Sequence, residues 1–228
     1  TNDGLTRKQK LKLFRAQFLG ESRFGQSCKI LNEDDLILRY NKKGKILTAS
    51  SISPLIIENK ALQYIITFDI ALFEIYFNSV NEKVNIFNIH SVGYNGRTFY
   101  KNFENFNEKK AKRNRLKVYN GSVMQFMRAL YNEDLLNAGY QTFHKGFPVT
   151  PWQFLKIETL PNSTSKRVFL DKDISILYNK KYQSYIKFLD PAIIIDVYGN
   201  YYRVNRVLFS GYMGNQRVGD LLPFGYGL

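Results

Sequence analysis

Apolar and polar residues alternate over residues 64–77, and this pattern constrains the fold more than any other feature of the sequence. Residues of one parity are mostly large and apolar, namely Tyr64, Ile66, Phe68, Ile70, Leu72 and Tyr76, whereas Thr67, Asp69 and Ala71 have the other parity. Successive side chains of a strand point to opposite faces of a sheet. The period therefore predicts one long strand with a single buried face, or two strands joined across a bulge.

The aromatic content also favours a sheet-rich fold. The chain of 228 residues has 18 Phe, 16 Tyr and 1 Trp, and 44% of its residues are hydrophobic. Aromatic side chains fit pleated, half-buried surfaces well. A chain of this length and composition can bury a sizeable core, so extended disorder is not expected.

Further strands are predicted on both sides of this segment. Residues 36–40 and 45–49 form a hairpin around Asn41-Lys42-Lys43-Gly44, in which Gly44 supplies the left-handed residue of the turn. Residues 84–89 and 97–103 are expected to pair across a turn at Gly93-Tyr94-Asn95-Gly96. After Gly139 the predicted strands cover residues 140–143, 154–160, 167–170, 174–178, 184–189 and 193–198, the last of which forms a hairpin with residues 202–204.

Two segments have the spacing of amphipathic helices. Residues 6–19 place Leu11, Phe14 and Phe18 on one stripe, with Thr6 suited to cap the start and Gly20 to end the helix. A second stripe begins in the charged run at residue 108 and continues towards residue 137, although Gly121 inside it lowers helix stability by about 1 kcal/mol relative to alanine.

Together these patterns predict an α+β fold. We expect a mainly antiparallel sheet with an N-terminal helix and one longer helix, at about residues 108–137, packed on it. The sequence has no internal repeat and no low-complexity linker, so we predict a single domain over residues 1–228, with a weak boundary between two lobes near residue 146.

The net charge favours a polyanionic partner. The chain has 33 basic and 19 acidic residues, which gives a formal charge of +14, and such a field attracts nucleic acid, anionic lipid or acidic polysaccharide without choosing among them. The densest basic cluster is the candidate polyanion-binding site, and it comprises Lys109, Lys110, Lys112, Arg113, Arg115 and Lys117. The alternative is a solvated helix face. The run Arg97-Thr98-Phe99-Tyr100-Lys101 suits stacking on bases or sugars, or equally a half-buried strand.

Catalytic patterns are not found in the sequence. His90 and His144 lie outside any spaced metal-binding motif, and Cys28, the single cysteine, has no nearby Cys or His. Glu33-Asp34-Asp35 is the densest carboxylate cluster and is typical of a helix start or a solvated turn. We therefore name no catalytic residues and predict no cofactor and no metal. No segment has the roughly 18 apolar residues that a membrane helix needs, so no transmembrane segment is expected.

Several short runs of the sequence together carry a resemblance to known proteins. They are Phe18-Leu19-Gly20 with Ser22, Cys28-Lys29-Ile30-Leu31-Asn32, Leu47-Thr48-Ala49, residues 54–62 with Tyr64, Arg115-Leu116-Lys117 with Tyr119 and Gly121-Ser122, residues 126–131, and Gly139-Tyr140. These runs resemble a family of bacterial envelope proteins described as carboxypeptidase-regulatory-like-domain-containing proteins. The resemblance covers roughly residues 14–143 and, more faintly, residues 211–223. It implies an envelope location, with a signal peptide and an immunoglobulin-like regulatory module upstream of the matched region. It implies no peptidase activity and supplies no catalytic residues.

These observations lead to one functional prediction and two rivals. The predicted function is a non-catalytic binding or structural module of a bacterial cell envelope, periplasmic or associated with the outer membrane, which binds a polyanionic glycan or a protein partner. The first rival is an enzyme whose site is assembled from distant residues, such as His90 or His144 with a carboxylate. The second rival is a nucleic-acid-binding protein, which an envelope location argues against. The sequence does not specify an oligomeric state.

Overall fold

The computed structural model describes residues 3–228, and antiparallel strands dominate this part of the chain. The helices are α1 (Arg7–Phe18), α2 (Glu108–Tyr119), α3 (Val123–Tyr131) and α4 (Gly211–Gly214). The strands are β1 (Cys28–Ile30), β2 (Leu36–Asn41), β3 (Ile46–Ser51), β4 (Leu55–Asn59), β5 (Tyr64–Asn81), β6 (Ile86–Asn102), β7 (Tyr140–His144), β8 (Phe147–Val149), β9 (Leu155–Thr159), β10 (Lys166–Leu170), β11 (Ile174–Tyr178), β12 (Tyr182–Phe188), β13 (Ala192–Ile195), β14 (Tyr201–Tyr202) and β15 (Val207–Ser210).

The predicted α+β fold class is wrong. Strands hold 42% of the residues and all helical segments together hold 22%, and the strands form three sheets in a β-sandwich-like fold rather than one sheet covered by a long helix. The chain divides into two compact units. One comprises the residues up to Arg115 together with Arg217–Pro223, and the other comprises Leu116–Gln216 together with Phe224–Leu228.

The first unit is built on a six-stranded sheet with α1 against its core face. The strand order is β1-β4-β5-β3-β2, and β6 pairs with the free side of β5. Thr6 caps α1 as predicted, because its side chain accepts a hydrogen bond from the backbone of Gln9. Phe14 and Phe18 are fully buried, and their ring centroids lie 4.7 Å from Phe73 and 4.9 Å from Phe68 of β5. These rings form the centre of the core.

The long strand β5 contains a bulge that changes which of its side chains are buried. Tyr64, Ile66 and Phe68 are buried as the alternation predicted, but the register shifts between Ile70 and Leu72. After the shift the buried residues are Phe73, Ile75 and Phe77, while Leu72 and Tyr76 are exposed. One extra residue in a strand turns every following side chain to the other face. The alternative of two strand segments across a bulge, which the sequence left open, is therefore confirmed.

Two predicted turn features are wrong. Residues 93–96 form no turn, because β6 runs without interruption from Ile86 to Asn102. The hairpin of β2 and β3 is confirmed, but the residue with left-handed backbone is Lys45, at φ 52°, and not Gly44.

The second unit contains two sheets that share one core. Their strand orders are β14-β13-β10-β9 and β15-β12-β11-β7-β8. Val168, Ile193 and Ile195 of the four-stranded sheet belong to the same buried cluster as Ile176 and Ile186 of the five-stranded sheet. Helix α3 adds Phe126, Met127 and Leu130 to that cluster. The hairpin of β13 and β14 and most strands expected after Gly139 are confirmed, and Gly146 lies between β7 and β8, which pair with each other.

The predicted helix over residues 108–137 is also wrong, because Gly121 separates α2 from α3. Gly121 has a φ of +77°, and a side chain there would lie 2.9 Å from the ring of Tyr178. Ser122 then caps α3 by accepting a hydrogen bond from the backbone of Gln125. A left-handed glycine followed by a capping serine ends one helix and starts another. Among the helices of residues 3–228, none is long and apolar enough to cross a membrane.

Candidate functional site: the basic face of helix α2

Helix α2 has one buried face and one strongly basic exposed face. Ala111, Asn114 and Val118 are buried, and they recur at the three- and four-residue spacing of one helix side. Asn114 donates a hydrogen bond of 2.8 Å to the carbonyl of Ala61, which fixes the first part of α2 in the first unit. The backbone N–H of Lys110 donates to the side chain of Asn107 at 2.8 Å. Asn107 thus caps the start of the helix.

Five basic side chains lie on the side of α2 away from that buried face. They are the exposed residues Lys109, Lys110, Lys112, Arg113 and Lys117. Since each residue advances by about 100° around a helix axis, they cover one continuous arc with the half-exposed Leu116 among them. Within residues 3–228, none of the five forms an ion pair. Their charge is therefore directed to the solvent.

Arg115, the sixth residue of the predicted cluster, has a structural role. Its guanidinium donates to the carbonyls of Leu62 and Gln63 and to the side chain of Asn102, at 2.9, 3.2 and 2.7 Å. It also stacks over the ring of Tyr64 at 3.6 Å. The structure thus brings five of the six residues together on one exposed face and turns Arg115 towards β5 and β6.

The cations of α1 behave differently from those of α2. Lys10 is buried and bonds to Asp3 at 2.8 Å, and Arg15 pairs with Glu33. Arg7 donates to the carbonyl of Leu36 at 3.0 Å. Burial opposes ionisation of Asp3, but its hydrogen bonds from Lys10 and the backbone of Tyr40 outweigh this effect and lower its pKa. Three of the five basic residues of α1 are thus used within the fold, whereas five of the six basic residues of α2 are exposed and form no ion pair within residues 3–228.

The residues considered for catalysis are not arranged as a reactive centre. Burial, together with the charge of Asp220, raises the pKa of the Cys28 thiol to about 12, so the thiolate needed for nucleophilic attack is disfavoured. His144 contacts the carbonyl of Asp173 at 3.1 Å, and its ring packs at a tilt against Phe154 with the centroids 4.8 Å apart, while His90 is exposed. In the described part of the chain, no group of three or more His, Cys, Asp or Glu residues is positioned to hold a metal ion.

The acidic cluster predicted to form a helix start or turn is a short helical turn over Glu33–Asp35. Hydrogen bonds from Ser53 and Asn32 lower the pKa of Asp35, which is therefore an ordinary ionised carboxylate. A surface concavity lined by Asp3, Gly4, Tyr40, Asn41 and Lys42 opens broadly to solvent. Active sites commonly combine an enclosed pocket with a cluster of polar groups, and neither the Glu33–Asp35 turn nor this concavity has both.

Sequence reasoning missed two buried polar sites. Asp220 is buried and accepts a hydrogen bond from Ser22, and the buried Arg128 donates to three backbone carbonyls. Both depend on contacts between segments far apart in the sequence, and no local motif marks them. In both sites the buried charged group is hydrogen-bonded to its neighbours, and neither site exposes a reactive group.

Comparisons of the chain with protein-family models, with curated proteins and with solved structures give no significant match.

Proposed function

We propose that this protein is a non-catalytic binding module of a bacterial cell envelope and that it holds a polyanionic glycan on the exposed face of α2. The observation that carries the proposal is the set of five exposed cations on one side of a twelve-residue helix, none of which forms an ion pair with any of residues 3–228. The envelope location rests on the resemblance described above. Binding to a protein partner through the same face, also considered from the sequence, requires an acidic partner surface.

The arrangement of these cations costs helix stability. Lys109, Arg113 and Lys117 follow one another at four-residue spacing. Like charges at this spacing destabilise a helix by about 0.2–0.5 kcal/mol per pair. Glu108, at the start of the helix, is the single acidic residue in α2. The attraction of each cation to a bound polyanion would offset these repulsions, so binding a polyanion relieves a destabilising arrangement.

The composition of the face favours dispersed anionic groups. Four of its five cations are lysines, and the lysine ammonium is a compact point charge on a flexible stem. A bidentate site for one planar carboxylate or phosphate would favour arginine instead. The α2 face therefore fits a polymer with repeated carboxylate, sulfate or phosphate groups.

A charge-matched pair of variants tests this proposal. The first variant changes Lys109, Lys110, Lys112 and Arg113 to Gln, which preserves helix propensity. The control changes the exposed Lys8, Lys12, Lys43 and Lys83 to Gln and lowers the net charge by the same amount. Binding of each protein to polygalacturonate, an acidic polysaccharide, and to neutral dextran is measured by titration at about 50 and 200 mM salt.

We expect the α2 variant to bind polygalacturonate about ten-fold or more weakly at low salt, because it loses four ligand-facing charges, while the control loses much less. Dextran should not bind through this face. Equal losses in the two variants would show that the total charge, and not the α2 face, drives binding, and would overturn the proposal. Recovery of the native protein in the cytoplasmic fraction of its source cells would overturn the envelope location.

A further inference from the structure

We propose that Asn95 of β6 is a modification site, at which the side-chain amide is lost without an enzyme to give an aspartyl or isoaspartyl residue. The pair Asn-Gly occurs twice in the chain, as Asn95-Gly96 and as Asn120-Gly121. The backbone nitrogen of a glycine is an accessible nucleophile, because glycine has no side chain to obstruct its approach. The two pairs differ in structure, and only the first has its reacting groups in contact.

At Asn95 the nucleophile and the amide already lie close together. The backbone N–H of Gly96 donates a hydrogen bond of 2.8 Å to Oδ1 of the Asn95 side chain. Cγ, the atom that is attacked, is bonded directly to Oδ1 and is therefore adjacent to this nitrogen. Reacting atoms held at about 3–3.5 Å are near the geometry of attack. The side chain of Asn95 is exposed, so water and hydroxide reach it.

The pairing of β6 with β5 is irregular at this place. Gly96 pairs with Ile70, whereas Asn95 pairs with Leu72. Ala71 is thus an extra residue on β5, and an extra residue disrupts the hydrogen-bond ladder locally. Asn95 and Gly96 therefore lie opposite a bulge rather than within a regular ladder, which would hold the backbone away from a cyclic intermediate.

The proposed reaction needs only water and hydroxide. The Gly96 nitrogen gives its proton to hydroxide and attacks Cγ of Asn95, so that a new N–C bond forms. The bond from Cγ to the side-chain nitrogen then breaks, and this nitrogen takes a proton from water and leaves as ammonia. Water opens the resulting succinimide ring at Cγ to give aspartate, or at the main-chain carbonyl carbon to give isoaspartate. Either product is ionised at neutral pH and is heavier, because OH replaces NH₂.

Asn120-Gly121 provides a comparison within the same chain. The backbone N–H of Gly121 donates to Oε1 of Gln125 at 2.6 Å, so another side chain engages the nucleophile. The N–H of Asn120 donates to the carbonyl of Leu116 at 3.1 Å, which continues the hydrogen bonds of α2. Asn120 is also only half-exposed. The same dipeptide is therefore held in an arrangement that opposes attack.

The test follows both asparagines in one sample of the full chain. The protein is incubated at mildly alkaline pH, and tryptic peptides 84–97 and 118–128, which contain Asn95 and Asn120, are analysed over time by tandem mass spectrometry. A parallel incubation in guanidinium chloride gives the rates in the unfolded chain. Asn95→Gln is the control variant, since it keeps an amide but would need a larger ring. Circular dichroism establishes that the variant is folded, and isoelectric focusing detects the new charge.

We expect Asn95 to react about ten-fold or more faster than Asn120 in the folded protein, since a displacement of about 1 Å from the attack geometry can slow a reaction about 100-fold. In guanidinium chloride the two rates should become similar, because the dipeptides are identical. The wild type should gain an acidic band that Asn95→Gln lacks. Equal rates in the folded protein, or reaction of Asn95 only after unfolding, would overturn the proposal. This outcome would leave the proposed function of α2 unchanged, since the test involves no ligand.

Discussion

The hydroxyl of Ser22 donates a hydrogen bond of 2.6 Å to Oδ1 of Asp220, across 198 positions of the chain. Asp220 is buried and lies in the segment Arg217–Pro223, which belongs to the first unit. The backbone N–H of Arg217 donates to Oδ2 at 3.2 Å. Burial raises the pKa of Asp220 above its ordinary value of 3.8, although these two hydrogen bonds oppose the effect. The contact therefore joins the end of the chain to its beginning through an acid that resists ionisation.

This raised pKa predicts a pH-dependent stability. Between pH 3.8 and the pKa of the folded state, the folded protein binds more protons at Asp220 than the unfolded chain does. The free energy of unfolding from this group therefore falls as the pH rises through that window. Asp220→Asn has a similar shape but does not titrate, so we expect the variant to lack this part of the pH dependence. Urea unfolding followed by circular dichroism from about pH 3.5 to 7 gives the comparison.

The slope of stability against pH, rather than its absolute value, decides this prediction. The amide of the variant rearranges the two hydrogen bonds and can shift stability by a constant amount at every pH. Ser22→Ala is a useful second variant, since it removes the hydroxyl that favours the ionised form. It should raise the pKa of Asp220 further and make the slope extend to higher pH. Identical slopes in the wild type and Asp220→Asn would contradict the prediction.

Gly96 and Gly93 offer a test of the continuous strand β6. Gly96 pairs with Ile70 beside the bulge of β5, and a Cβ at this position would lie 2.2 Å from the carbonyl oxygen of Asp69 and 2.5 Å from the ring of Phe68. A Cβ at Gly93 would meet no atom within 4 Å. We expect Gly96→Ala to destabilise the protein by about 1–3 kcal/mol through overpacking, and Gly93→Ala to be neutral or stabilising by up to about 1 kcal/mol.

Thermal and urea unfolding of the two glycine variants provide the measurement. Both substitutions remove the same backbone freedom from the unfolded chain, so the difference between them reports the close approach at Gly96. Similar stability of both variants would show that the backbone of β5 does not lie against Gly96.

Local patterns predicted the elements of this fold well where one segment determines its own structure. The capping of α1 by Thr6 and the pairing of β2 with β3 follow from neighbouring residues. The predictions failed where contacts between segments distant in the sequence determine the structure. The bulge after Ile70 reverses the buried parity of β5 without any proline or glycine in that strand, and Gly96 was assigned to a turn although it allows close strand contact. Gly121 was noticed, but its left-handed backbone was not anticipated.

The residues of the candidate site were likewise predictable where local sequence determines them and not where tertiary contacts do. The basic cluster is visible from its local density, and the helical spacing places most of its members on one side of α2. The sequence does not reveal that Arg115 bonds within the fold instead of facing the solvent, because its acceptors at Leu62 and Gln63 lie more than 50 positions earlier. Phe99 and Tyr100 are adjacent aromatic residues, and no local pattern distinguishes the exposed one from the packed one. That choice depends on the register of β6 against β5.

Arg128 of α3 is a buried charged residue of the second unit, and it needs several hydrogen-bond acceptors. Its Nε donates to the carbonyl of Tyr198 at 2.9 Å, and its two terminal nitrogens donate to the carbonyls of Tyr226 and Phe224 at 2.6 Å each. The guanidinium also lies over the ring of Tyr119, at 5.6 Å from its centroid. One side chain thereby holds the residues that follow Pro223 against the second unit. A planar group with fixed, diverging donors is suited to three separate acceptors.

We expect Arg128→Ala to destabilise the protein by about 2–4 kcal/mol, because three carbonyls lose charge-assisted hydrogen bonds. Arg128→Lys should recover only part of this loss, since one ammonium group cannot reproduce the geometry of the guanidinium. The exposed Arg167 of β10 is the control, and Arg167→Ala should change stability by less than about 0.5 kcal/mol. Urea unfolding measures these differences. Brief chymotrypsin treatment followed by mass spectrometry reports on the end of the chain, where Arg128→Ala should speed cleavage after Phe224 and Tyr226. Wild-type stability and cleavage in Arg128→Ala would mean that Arg128 does not hold this segment.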